Sequence, residues 1–177
     1  MRKYFAVASL LISILSFAQV KWMTLDQAIA AQNHLPKKIL IDFYTDGCVP
    51  CHIMEKQTFS RPEISAYINE HFYPIKFNAE TSEELSVYGR NFRNPDFSKG
   101  KKKNSLHEFT KFMNVSSVPS LVFLDEQAHP ITILNGMLTA KELDPYLTLI
   151  STNEYQKITK RTQWDDYQKK FKSKLKN

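Results

Sequence analysis

Apolar residues along this chain fall into runs separated by polar turns, and the spacing inside each run assigns an element. Leu25, Ala28 and Ile29 form a stripe behind Thr24 and Gln27, a pair with capping-box spacing, so 25–33 is predicted helical. His34, Leu35 and Pro36 end it. From Lys38 to Tyr44 the residues Ile39, Leu40, Ile41 and Phe43 are almost continuously apolar, which suits an interior strand covered on both faces. Thr45, Asp46 and Gly47 make a short loop, and a helix follows from Val49 to about Gln57, with Pro50 tolerated in its first turn. Ser60 to Glu63 has capping-box spacing again and opens a helix through Ile64, Tyr67 and Ile68. Phe72 to Phe77 predicts a second interior strand, and Ser82 to Tyr88 the start of a third helix. Between Gly89 and Ser105 the periodicity disappears, giving an exposed, mobile insertion before a helical piece at 106–112. Leu121 to Leu124 is a strand directly after Pro119. Asp125, Glu126 and Gln127 turn the chain into an antiparallel strand near 130–134, and Thr139 with Glu142 caps a helix to about Ile150.

Central strands with helices on both faces make a small α/β sandwich. The tail, 151–177, is also predicted helical but carries two opposed stripes, Tyr155 with Ile158, and Trp164 with Tyr167, Phe171 and Leu175. Either the helix breaks near 160–163 or its second half docks elsewhere. The expectation is a first half packed on the body and a mobile second half. Lys169, Lys170, Lys172, Lys174 and Lys176 beside the second stripe suit an acidic protein patch or weak peripheral contact with an anionic membrane.

The first residues change the picture of where the chain works. Arg2 and Lys3 precede a nearly unbroken apolar run from Phe5 to Phe17, and small residues at Ser16 and Ala18 place a cut after Ala18. That run is short of the roughly 20 residues a membrane span needs. Residues 1–18 therefore read as a signal peptide, and the mature protein as periplasmic or secreted. Net charge is +6 over 177 residues, concentrated in two places. Residues 89–104 hold six Lys/Arg against one Asp, and 151–177 hold eight against three acids, so the remaining mature chain is acidic. Two basic appendages without a recognition motif do not make a nucleic-acid-binding protein.

Only two cysteines occur, Cys48 and Cys51. One four-residue loop constrains little of an unfolded chain, so the pair is read as reactive rather than as a staple. A thiol attacks as its thiolate, and the start of a helix puts unpaired N–H groups and the positive end of the dipole beside Cys48. Cys51, one turn on, can attack a mixed disulfide at Cys48 and expel the product. Cys48 is thus expected to be the exposed attacker and Cys51 the buried resolver. A metal site would need His52 and further ligands, and His34, His71, His107 and His129 lack metal-site spacing. A buried carboxyl at Asp42 would have a raised pKa and could trade a proton near neutrality, or be a strand-end Asp satisfied by backbone or water.

The run from Ile41 to Cys51 resembles the active-site segment of the thioredoxin family, and the resemblance extends from about Lys38 to Ile150. Val118, Pro119 and Ser120 with the strand after them resemble the family's cis-proline loop, Lys76 to Glu80 the end of its central strand, and Gly136 a late glycine. The segment from Cys51 to Ser60, with Pro62 and Glu63, is similar to the C-terminal thioredoxin-like domain of transmembrane disulfide reductases. The resemblance implies a thioredoxin-like fold with a central mixed sheet and helices on both faces over 19–150. It also implies that Asp42 moves a proton to or from the resolving cysteine, that Pro119 packs over the disulfide, and that the Val118 main chain pairs with substrate. Gly47 departs from the pattern, replacing the aromatic residue that usually precedes the first cysteine, in the substrate groove. His52 replaces a frequent basic residue, Lys76 matches a position near the acid, and Trp22, Tyr67 and Phe72 read as packing.

The expected function is protein thiol–disulfide exchange, in the reducing direction, on disulfide-containing exported proteins. It requires no metal or organic cofactor but does require an external thiol electron donor. The rival reading is a binding or chaperone-like module that presents the insertion and the basic tail.

Overall fold

The computed structural model describes residues 19–98, 105–173 and 175. The signal peptide expected at 1–18, positions 99–104 of the insertion, and Lys174 and Lys176 of the tail lie outside them. In chain order the elements are α1 (Leu25–His34), β1 (Lys38–Tyr44), α2 (Val49–Met54, widening into a π-helix over Glu55–Phe59) and α3 (Pro62–His71). There follow β2 (Phe72–Asn78), the short strands β3 (Leu85–Val87) and β4 (Arg90–Phe92), a single turn α4 (Pro95–Ser98) and α5 (Glu108–Phe112). β5 (Ser120–Leu124), β6 (Pro130–Asn135), α6 (Ala140–Ser151), a 3-10 turn (Glu154–Lys157) and α7 (Arg161–Lys170) complete it.

β1 lies inside a four-stranded mixed sheet of order β2-β1-β5-β6. It runs parallel to β2, with Asp42 opposite Lys76, and antiparallel to β5, with Asp42 opposite Leu121. The period of two along a strand sorts its side chains between two cores. Ile39, Ile41 and Phe43 pack with Leu25, Ala28, Phe77 and Phe109, whereas Leu40 packs with Met54, Phe59, Ile64, Phe72 and Leu143. Each fully buried Phe, Ile or Leu contributes about 1.5–3 kcal/mol relative to exposure. Asp42 shares Leu40's parity and so points toward the α2 side of the sheet.

Several local expectations need correction. Residues 82–88 are not helical: Leu85–Val87 pairs with Arg90–Phe92 as a hairpin. Its two loop residues, Tyr88 and Gly89, have φ of 55° and 67°, the sign that a tight hairpin turn demands. The insertion is not exposed throughout, because Phe92 and Asn94 are buried. Ser60 does not cap α3. Its hydroxyl and its N–H both bond the Glu55 carbonyl at the start of the π-helix, and Arg61 takes the N-cap position of α3.

The tail breaks at 158–160, and it is the second stripe that docks. Trp164 is buried and stacks on Tyr146 of α6 with ring centres 4.4 Å apart. The Tyr167 hydroxyl donates to the Pro145 carbonyl at 3.2 Å, Ser173 bonds Asp144, and Leu175 joins the core beside α6. The second half, expected to be mobile, is therefore packed on the body through Trp164, Tyr167, Ser173 and Leu175. Aromatic faces gain more from an apolar seat on α6 than from water.

Candidate active site

The loop after β1 delivers Cys48 to the N-cap of α2, and Pro50 takes a position in the first turn where no N–H is needed. Cys48 Sγ accepts a hydrogen bond from the Cys51 N–H at 3.1 Å, and the two residues are joined as a disulfide. In this form they are almost equally covered, 8% and 7% exposed, so exposure does not separate attacker from resolver here. The asymmetry lies in the backbone: the donor aimed at Cys48 Sγ would favour a thiolate there.

Asp42 is buried at 4% exposure in the strand that feeds this loop. Burial pushes its carboxyl up to about 7; the Lys76 ammonium opposes the rise and Glu55 adds to it. A carboxyl with that proton affinity can take and return a proton near neutrality. Lys76, opposite it on β2, forms an ion pair with Glu55 and lies 5.2 Å from the centre of the Tyr44 ring. The resemblance placed Lys76 near the acid, as it is found, but pointed to no role for Glu55. The available signal was spacing, since Glu55 stands four residues after Cys51, one helical turn further along the same face.

The remaining candidates are Val118, Pro119, Gly47 and His52. The Val118–Pro119 peptide is cis, and Ser120, at the start of β5, pairs opposite Phe43 of β1. Gly47 is exposed, and nothing lies within 4 Å of a Cβ built on it. His52 is exposed and bonded to the Asp46 carbonyl at 2.9 Å, which ties the loop to the helix. Val49 and Met137 are exposed apolar residues, and a cavity of about 330 Å³ lined by Ile53, Met54, Met137 and Leu138 runs along α2. No group of three or more metal-ligating side chains occurs among the described residues, and no described helix is long and apolar enough to cross a membrane.

A sequence model of the thioredoxin-like domain matches residues 24–151. Among curated proteins, the thiol:disulfide interchange protein DsbD of Haemophilus ducreyi is 28% identical over 113 residues, 63% of this chain and 16% of that protein. DsbD of Escherichia coli K12 is 25% identical over 137 residues, 75% of this chain and 20% of that protein. The chain thus spans a fifth or less of the length of these relatives. Among solved structures, a thioredoxin-fold protein from Helicobacter pylori superposes with a TM-score of 0.59 at 21% identity, covering 76% of this chain and 83% of that one.

Proposed function

Because the chain belongs to the thioredoxin-like family through residues 24–151, we propose that it is a protein thiol–disulfide oxidoreductase working through Cys48 and Cys51. In the reducing direction the Cys48 thiolate attacks one sulfur of a substrate disulfide. The Cys48–substrate bond forms and the other substrate sulfur leaves as a thiolate, which takes a proton from solvent. Asp42 then accepts the proton of Cys51, directly or through water, and the Cys51 thiolate attacks Cys48 Sγ. The second substrate sulfur leaves as a thiolate and takes up the proton held by Asp42, directly or through water, and the Cys48–Cys51 disulfide remains. Two electrons have passed to the substrate, so an external thiol donor must reduce the pair before the next turnover.

The observation that carries this reading is a disulfide at a helix N-cap, reached by a short loop from a strand that holds a buried carboxyl with its pKa raised to about 7. Gly47 and the Val118 main chain, with the exposed side chains of Val49 and Met137, form the rim on which a protein substrate would dock. The reducing direction, exported substrates and a periplasmic or secreted location rest on the sequence resemblance and on the apolar run at 1–18. Packing of Trp164, Tyr167 and Leu175 on α6 covers the aromatic stripe on which the tail's membrane-contact reading relied.

The test uses single-cysteine variants. Cys51→Ala should accumulate a mixed disulfide through Cys48 with a protein substrate, seen by mass. Cys48→Ala should react with a bulky thiol reagent at least tenfold more slowly, and neither variant should catalyse insulin reduction by dithiothreitol. Equal reactivity of the two thiols would overturn the assignment of roles. Absence of catalysis in the unaltered protein would overturn the function.

A further inference from the structure

Residues 19–23 precede the stretch matched by the family, yet they are built into the site. Asn69 fixes their start, its side chain donating to the Gln19 carbonyl at 2.9 Å and accepting from the Lys21 N–H at 2.8 Å. Met23 N–H then donates to the Pro74 carbonyl at 2.8 Å, and Met23 bridges Ile75 in parallel along the outer edge of β2. Trp22, held between these anchors, lies beside the side chains that face Asp42. Its indole N–H donates to Glu55 Oε1 at 3.4 Å, its ring meets Phe59 edge-on at 5.0 Å, and Lys76 Nζ sits 5.4 Å from its ring centre. One side chain therefore contacts both members of the Glu55–Lys76 ion pair, each through the part of the indole that suits its charge. The N–H faces the carboxylate and the π-face meets the ammonium.

We propose that Trp22 is a positioning residue for the exchange reaction, holding the Glu55–Lys76 pair against Asp42 so that the acid's proton affinity is fixed. This rests on the proposed function for Asp42 and extends it to a residue outside the matched stretch. Two charged groups act on Asp42, Lys76 from β2 and Glu55 from the π-helix, while Tyr44 on its own strand is neutral where the acid titrates. Leu121, opposite it on β5, brings none. Of these, Glu55 is the one whose charge Trp22 compensates. Losing the indole donor leaves a fuller negative charge near Asp42, and a negative neighbour favours the protonated acid.

Trp22→Phe keeps a ring for the contact with Phe59 and removes the donor. The carboxyl carbon of Asp42, followed by NMR through a pH titration, reports the acid whether or not exchange occurs, so it separates failure here from failure of the proposed activity. The expected result is an upward shift of the Asp42 midpoint by about half a unit, or roughly threefold in proton affinity. In a Glu55→Gln background the same substitution should produce no shift, because the charge it acts through is gone. Incorporating benzothienylalanine, which keeps the bicyclic shape with sulfur in place of N–H, should reproduce the shift if Trp22→Phe is poorly folded. An unmoved or lowered midpoint, or an equal shift with and without Glu55, would show that Trp22 only packs.

Discussion

Polar side chains buried near β3 and β4 and the Asp42 carboxyl buried in β1 are treated in opposite ways. Beneath β3 and β4, Asn94 is 2% exposed and donates to the carbonyls of Thr81 at 3.2 Å and Ser105 at 2.6 Å, while its Oδ1 accepts from the Phe97 N–H. His107, fully buried, accepts from the Phe109 N–H at Nδ1 and donates from Nε2 to the Glu83 carbonyl. Those partners define one neutral tautomer. Asp42 is buried as deeply, but its surroundings are charges, Lys76 and Glu55, and its proton affinity is displaced to about 7. A buried polar group matched to backbone partners ties a loop down. One whose ionisation is left in balance can do chemistry.

The contrast predicts opposite pH slopes, and Asp42 supplies the larger. Its folded pKa lies above that of an unfolded Asp, so its favourable contribution is complete below about pH 4 and is lost as pH rises toward 7. Asp42→Asn should abolish that slope and leave the variant more stable than the parent above pH 7, by a few kcal/mol at most. It should also slow the resolving step about a hundredfold and flatten its pH profile. His107 runs the other way. Burial holds its imidazole below the usual range, against the raising influence of the Glu83 carbonyl, so its contribution is complete above about pH 6.5 and falls as the solution is acidified. Thermal unfolding of Asp42→Asn against pH isolates this second slope. An unchanged pH–rate profile in a folded Asp42→Asn protein would make the acid structural, like Asn94.

Asn94→Ala comes next in size. It strands the carbonyls of Thr81 and Ser105 and the N–H of Phe97, which should cost about 2–3 kcal/mol in urea unfolding. The rate of exchange at Cys48 and Cys51 should stay within twofold of the parent. A large loss of exchange without loss of stability would mean that the two polar sites are coupled.

What was legible in the sequence follows from how local each feature is. β1, the cysteine pair at the start of α2, and the capping box of Thr139 with Glu142 are each determined within a few residues, and each appears where expected. The cluster around Asp42 is assembled from residues 22, 42, 55 and 76, and no periodicity connects them. The β3–β4 hairpin was hidden because its strands are only three residues long and the polar residues around them resemble a loop. The turn residues Tyr88 and Gly89 were the one local sign of it. Asn94 and His107 gave no sign of burial, since backbone carbonyls and N–H groups satisfy them and those partners leave no mark in composition. In the tail the two stripes were readable, but the second reaches its seat on α6 only because the chain breaks and folds back at 158–160.

The smallest effect on stability is expected at Gly47, and it bears on the reactive region without touching its proton. A Cβ there meets nothing within 4 Å, so a side chain can enter without displacing a neighbour. Gly47→Trp should leave stability within about 0.5 kcal/mol of the parent, as exposed substitutions usually do. It would place a flat apolar surface immediately before Cys48, where a protein substrate on the proposed rim must pass. The expected signature is a KM for a protein disulfide lowered about threefold, with kcat and the rate toward a small disulfide unchanged, because binding shared by ground and transition states moves KM alone. A parallel change with both substrates would mean that the indole alters the sulfur chemistry and that Gly47 lies outside the rim. A drop in stability above 1 kcal/mol would mean that the open space beside Gly47 is used by the loop itself. Because Asp42 is untouched, the pH midpoint of exchange should remain that of the parent, and this separates contact with the substrate from control of the proton.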